Sequence, residues 1–431
     1  MKQVKITGEF QVPKPIADDV EKTVKTIPNF KKKIEQSLKK KTTELIEIML
    51  AGAIRLKASD IHIEPEEEEV KLRVRLDGIL QDVLFLDNKI YKALTSRIKL
   101  LARLKLNVSD RPQDGRFSIL FKDSAIEIRA SSLPAEYGES IVMRILDPKN
   151  LINVESLGLR DDMTKVFNRE IQQPNGMIVV TGPTGSGKTT TLYAILRRLN
   201  KPEIKIITIE DPIEYHLEGI NQTQVDHKKG YDFASGLRSI MRQDPDVVLV
   251  GEIRDLETAQ IALQAALTGH LVLSTLHTND ATGTVARLQA LGEKPVNISP
   301  AINIAIGQRL IRKVCSECKR MEIATTLELK QIKDALKGVK IKMPEIKSEL
   351  KIVRAVGCKE CNNTGYKGRL GVFEFFLIDD EMEKFILTSP SIVEMKEKAI
   401  KKGMITMQQD GFIKVVEGKT TIEEIKRVIG V

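Results

Sequence analysis

Residues 177–196 read MIVVTGPTGSGKTTTLYAIL. A short apolar run (177–180) enters a loop of the form G-x-x-x-x-G-K-[ST], and a helical pattern (190–199) leaves it. Strand, glycine-rich loop and helix in that order form the setting in which such a loop cradles phosphates. The glycines let backbone N–H groups approach the anion, and the helix N-terminus adds a favourable dipole. The run Gly182, Pro183, Thr184, Gly185, Ser186, Gly187, Lys188, Thr189 and Thr190 is therefore predicted to bind ATP. Lys188 should reach the β- and γ-phosphates, and the Thr189 hydroxyl should hold Mg2+.

Outward from the loop, β-rich runs and helical patterns take turns. Residues 204–209, 247–250 and 271–273 are β-rich runs that end in polar residues, and 256–267 is helical before Gly269. Alternation of this kind predicts a parallel sheet with helices on both faces and reacting groups at the carboxyl ends of strands. Two such ends carry carboxylates: Glu210, beside Asp211 and Glu214, and Glu252, after the strand 246–251. Hydrolysis needs a group that positions or deprotonates water in line with the γ-phosphate, and Glu210 and Glu252 are rivals for that role. His270 and His277 bracket the strand 271–276, so each is either a structural residue or, for His277, a γ-phosphate sensor. Arg111, Arg116, Arg129, Arg238, Arg242 and Arg254 are surface charges, from which a subset could stabilise the transferring phosphoryl group.

Toward the amino terminus, 70–76 alternates strictly between apolar and basic residues, Asp77-Gly78 follows, and 79–86 resumes the pattern. That is a hairpin signal. With a helical pattern from Thr42 (Thr43 as its N-cap) and an alternating segment at 125–130, it predicts an α/β domain over 42–148. Residues 149–160 are the expected linker, 161–314 the ATPase core, and 362–431 a helical, charged carboxyl-terminal region. The leader, 1–41, holds eleven lysines against five acidic residues and so carries six of the nine excess positive charges. It reads as a solvated arm with at most short helices, or as a contact for anionic lipid. The run KKKIEQSLKKK lacks interleaved aromatic residues, which weighs against nucleic acid.

The four cysteines fall as Cys315-x-x-Cys318 and Cys358-x-x-Cys361. Paired knuckles have metal-ligand spacing, and four thiolates would close a structural zinc site with no open position, making 315–361 an inserted tetracysteine module. The alternatives are buried thiols and a redox dithiol. Composition is that of a globular chain, with 42% hydrophobic and 29% charged residues. No apolar run approaches the roughly 20 residues that cross a bilayer, and MKQVKITGEF lacks the apolar core of a secretory signal, so a cytoplasmic protein is expected.

With these residues in place, the chain resembles the secretion ATPases of type II secretion and type IV pilus assembly. GPTGSGKTTTLY (182–193) resembles the family's Walker A, ITIEDPIEY (207–215) its acidic box, RQDPDVVLVGEIRDLETA (242–259) its atypical Walker B, and GHLVLSTLHTNDA (269–281) its His box. SDIHIEP, RPQDGRFSI, GYKGRLGVFE and DGFIKVVEGKTTIEEIKRV also look like family segments, so the resemblance runs from about residue 42 to the end.

The resemblance implies a PAS-like amino-terminal α/β domain joined to a RecA-like ATPase domain. It also implies a homo-hexamer on the cytoplasmic face of a polytopic inner-membrane platform protein, where ATP hydrolysis powers addition of pilin or pseudopilin subunits, with no nucleic-acid partner. By motif, Glu210 matches the acidic-box glutamate, favoured as the base, and Glu252 the Walker B glutamate, favoured as metal and water partner. Arg116 and Arg129 match amino-terminal arginines that reach the nucleotide. Arg238, Arg242 and Arg254 match arginines needed for activity, and His270 and His277 match the His box. A tetracysteine module is typical of assembly and secretion motors rather than retraction motors. The short leader departs from the larger docking domains of many members, which predicts a trimmed chain or a different mode of docking. A RecA-like nucleic-acid translocase, stimulated by DNA, and a small-molecule kinase are the competing readings.

Overall fold

A computed structural model describes residues 9–122, 124–341 and 343–430. The chain divides into two compact units: residues up to Asn150 with 315–318 and 356–367, and 151–314 with 319–355 and 368–431.

The first unit is built on strands β1 (Glu9–Gln11), β2 (Asp60–Pro65), β3 (Val70–Leu76), β4 (Ile79–Leu86), β5 (Gln113–Phe121), β6 (Ser124–Ala135) and β7 (Gly138–Leu146). They form one sheet in the order β1-β5-β6-β7-β2-β3-β4. Alternation in β3 places Val70, Leu72, Val74 and Leu76 in the core and leaves Lys71, Arg73 and Arg75 half-buried on the other face. Asp77 and Gly78 both take left-handed φ (49° and 85°), the type I′ geometry that joins β3 to β4. The helix Thr42–Arg55 is as expected except at its start, where Lys41 rather than Thr43 holds the N-cap position and makes no side-chain cap bond.

The leader is not a solvated arm. From Glu9 onward it supplies β1, which pairs parallel with β5, and the helices Lys14–Thr23 and Ile27–Glu35. Phe10, Val12, Val20, Val24, Ile27, Phe30 and Ile34 are buried in the unit's core. The lysine count hid an apolar stripe at i, i+3 and i+7 (Ile27, Phe30, Ile34) that lies between the charges. Residues 1–8 of that expected arm lie outside the described residues.

The second unit carries β8 (Gly176–Thr181), β9 (Ile206–Glu210), β10 (Asn221–Gln224), β11 (Val247–Val250), β12 (Leu271–Leu276), β13 (Ile302–Val314), β14 (Arg320–Ile323), β15 (Lys351–Arg354) and β16 (Tyr366–Leu377). Its main sheet runs β10-β9-β11-β12-β8-β13-β16, and every pairing from β10 to β13 is parallel. Buried runs such as VVLV in β11 and LVLSTL in β12 are what a sheet covered on both faces demands.

Several expectations are corrected here. The region after Cys361 opens with the long strand β16 and turns helical only at Asp380, and β13 is a further strand that the sequence pattern does not signal. Both strands are mixed in polarity at one end, which blurs a two-residue period. The stretch 149–160 is not a free linker throughout, because Val154, Leu157 and Arg160 are buried. Gly371 N–H donates to the Leu157 carbonyl at 3.3 Å. Nor is 315–361 a separate module: Ala324, Ile332, Leu336, Leu350 and Ile352, between the knuckles, enter a core with Ile311, Val372 and Phe412. Among the described residues no helix is long and apolar enough to cross a membrane.

Candidate active site and metal centre

Strands β8, β9, β11 and β12 are neighbours and parallel, so their carboxyl ends open on one edge of the sheet. β8 delivers the glycine-rich loop there, and the helix Lys188–Leu199 starts directly from it. Gly185 and Gly187 take φ of 78° and 88°. A Cβ on Gly187 would stand 2.8 Å from Gln308 Nε2, so the backbone comes close because the side chain is missing. Lys188 Nζ donates to the Gly182 carbonyl at 2.8 Å and the Pro183 carbonyl at 3.2 Å. Burial holds its pKa below the usual lysine value, against the pull of Glu252. Ser186 Oγ is buried with no hydrogen-bond partner. A loop with an orphaned hydroxyl, left-handed glycines and a half-buried ammonium fits a nucleotide's phosphates. Thr189, half-buried beside Lys188, could hold a magnesium ion through its hydroxyl.

Glu252 follows β11 by two residues. Arg254 Nη2 pairs with its Oε1, and His277 Nε2 lies 3.5 Å from its Oε2. The carboxylate holds the Arg254 pKa up. Burial, then the nearby Lys188 charge, push the His277 pKa down, so the imidazole is neutral at pH 7. His277 is positioned from β8: Thr181 Oγ1 accepts the Thr278 N–H at 2.9 Å and lies 2.6 Å from Thr278 Oγ1. Lys188, Glu252, Arg254 and His277 thus form one polar cluster.

Glu210 ends β9 at the same edge in different surroundings. The Gly251 N–H donates to the Ile209 carbonyl at 2.8 Å, which sets the ends of β9 and β11 side by side. The Glu210 carboxylate is buried and accepts from Tyr193 Oη, from Thr208 Oγ1 at 2.6 Å and from Gln222 Nε2 at 3.1 Å.

Other expected residues have partners of their own. Arg238 pairs with Glu257 at 2.5 Å, and Arg242 donates to the Arg238 carbonyl and to Ser239 Oγ, both on exposed surface. His270 sits at the opposite end of β12 from His277, its Nδ1 3.0 Å from the Ala265 carbonyl, which is the structural role. Arg116 and Arg129 belong to the first unit, directly opposed across β5 and β6 and sharing Glu127 (3.9 Å and 2.9 Å). Sequence reasoning missed Arg309, whose Nη2 donates to the Asn279 carbonyl at 2.9 Å while its Nη1 lies 3.1 Å from where a Gly182 Cβ would sit. A charge inside the apolar run IAIGQRLI was the available signal. Tyr193 and Gln222 were missed as well, the first because an apolar helical face hides a hydroxyl.

The four cysteine sulfurs lie within 4.8 Å of one another. Cys315–Cys358, Cys318–Cys361 and Cys358–Cys361 are 4.0, 3.8 and 3.7 Å apart, too far for a disulfide. A tetrahedron with Zn–S of about 2.3 Å has edges of about 3.8 Å, so the set fits zinc. Burial alone would raise the Cys361 pKa, but N–H donors from Cys358 and Gly365 outweigh it and bring it to about 7.

The family model described as "Type II/IV secretion system protein" matches residues 35–427. "Type II secretion system ATPase E" of Vibrio cholerae is 44% identical over 414 residues, covering 96% of this chain and 80% of its own. "Type IV pilus assembly ATPase PilB" of Myxococcus xanthus is 40% identical over 412 residues, covering 95% and 72%. Among solved structures, the pilus retraction motor PilT with bound ADP superposes with a TM-score of 0.59 at 26% identity, over 88% of this chain and 95% of that one.

Proposed function

The chain belongs to the type II/IV secretion system protein family, and from that premise we propose that it is a ring-forming motor whose ATP hydrolysis drives assembly of a type IV pilus or a secretion pseudopilus. It is an ATPase, as its relatives are named. The observation that carries the reading of the site is the convergence of Lys188, Glu252, Arg254 and His277 on one strand edge.

Lys188 and the loop amides bind the phosphates. Thr189, with Glu252 acting through water, would hold magnesium, which would neutralise charge on the phosphoryl oxygens. Glu252 faces the loop beside a neutral His277, which supports it as the group that orients and deprotonates water. The three donors on the buried Glu210 favour an orienting role for that residue, which reverses the order preferred from sequence. Arg254 restrains the Glu252 carboxylate, and Arg116, Arg129, Arg238 and Arg242 keep the roles that resemblance assigns. The cysteine site holds zinc as a structural tie. The working form is a homo-hexamer at the cytoplasmic face of the inner membrane, against a polytopic platform protein and anionic lipid. Similarity of 40–47% to secretion and assembly ATPases supports that cargo direction over retraction.

The test is steady-state ATPase rate together with light-scattering mass, with and without anionic vesicles or DNA. A hexamer with lipid-responsive, DNA-indifferent turnover supports the proposal, and stimulation by DNA alone refutes it. In the same assay Glu252→Gln should keep ATP binding and lose at least about a hundredfold in turnover, while Lys188→Ala should lose binding.

A further inference from the structure

The Glu210 cage draws on three elements. Thr208 comes from β9 itself, Gln222 from β10, and Tyr193 from the helix that begins at the phosphate loop. The Gln222 amide is fixed in turn, donating to the Tyr215 carbonyl at 3.0 Å and accepting the Leu217 N–H at 2.7 Å. Tyr193 is 1% exposed, and its ring meets Tyr215 edge-on at 6.1 Å. Burial and the adjacent carboxylate keep its phenol protonated, so it donates to Glu210 Oε2 at any working pH. Tyr193 lies five positions after Lys188 on the same helix.

We infer that Tyr193 is a positioning residue, tying the phosphate-loop helix to the acidic-box glutamate so that the orientation of Glu210 follows the phosphate end of that helix. The inference rests on the reading that Glu210 belongs to the hydrolytic machinery.

Tyr193→Phe keeps the ring and removes only the donor. It should lower kcat about tenfold, with KM for ATP within about twofold. Ring-fluorinated tyrosine at 193 is a stronger donor of nearly the same size, and it should hold kcat within about twofold of the parent. It carries the test if the phenylalanine variant does not fold. Unchanged kcat in the phenylalanine variant, or a loss of about tenfold in the fluorinated protein, overturns the inference. Glu210→Gln, run in parallel, separates the two failures. If it retains turnover, the role of Glu210 itself falls. If it is inactive while Tyr193→Phe is normal, only the coupling falls.

Discussion

Asp410 is a buried anion on which the carboxyl-terminal region turns, and its removal should be costly in a way that depends on pH. Its carboxylate is fully buried and takes the Arg160 guanidinium, the Lys414 ammonium and the Phe373 N–H, the last at 2.9 Å. Arg160 closes the stretch expected as linker, so this one residue pins the entry of the second unit to its last helices. Breaking a buried pair costs about 3–5 kcal/mol. Arg160 keeps Asp162, at 3.0 and 2.9 Å, whereas the Lys414 ion pair is with Asp410, which places Asp410→Ala near the lower end. At roughly 2–4 °C per kcal/mol for a unit of this size, the melting temperature should fall by roughly 6–12 °C. Burial already holds the Lys414 pKa below its ordinary value, and losing Asp410 removes a group that raises it. The folded variant then binds fewer protons than the unfolded chain below the ordinary lysine pKa, so its stability rises with pH and the deficit narrows toward pH 10. Calorimetry from pH 7 to 10 measures this. A deficit under about 1 kcal/mol refutes the reasoning. So does one that stays flat with pH, or a double variant Asp410→Leu, Lys414→Met no better than the sum of the singles.

Cys358→Ser should reduce zinc from one per chain toward none. It should also speed proteolysis around residues 358–365, where Asn362 Oδ1 accepts the Ile27 N–H at 2.7 Å; elemental analysis and limited digestion check both. Unchanged zinc would remove the metal assignment. Gly187→Ala meets a left-handed φ of 88° that costs about 1–2 kcal/mol, and its methyl presses on Gln308, the acceptor for Thr191 Oγ1 at 2.7 Å. Affinity for a fluorescent ATP analogue should drop at least about tenfold while the fold persists, and unaltered binding would show that the loop tolerates a Cβ.

The parts of the fold that sequence exposes are those with a clean local signature. The β3–β4 hairpin is visible because VKLRVRL alternates without a break and Asp77-Gly78 supplies two left-handed residues. The parallel strands β8, β11 and β12 are visible because both faces are covered and their runs are uniformly apolar. β16 is not, since Tyr366–Arg369 alternates in exposure while 370–376 is buried throughout, so neither period persists along it. The leader failed for a different reason. Its apolar residues gain their meaning only against partners far along the chain, as β1 does against β5, and composition averages that away.

The same distinction divides the two glutamates. Both end buried strands of the same sheet, and each has one partner two residues away, Thr208 for Glu210 and Arg254 for Glu252, which does not by itself assign them different roles. The difference comes from residues at a distance in sequence. Tyr193 and Gln222, 17 and 12 positions from Glu210, surround it with neutral donors. His277, 25 positions from Glu252, leaves that carboxylate beside an imidazole and within the field of Lys188. A strand-end motif fixes which residues reach the site; the neighbours brought by the sheet decide what each carboxylate can do there. That is why Glu252→Gln and Tyr193→Phe test different claims: the first removes the carboxylate proposed to orient water, and the second leaves every carboxylate in place and alters only how one of them is held.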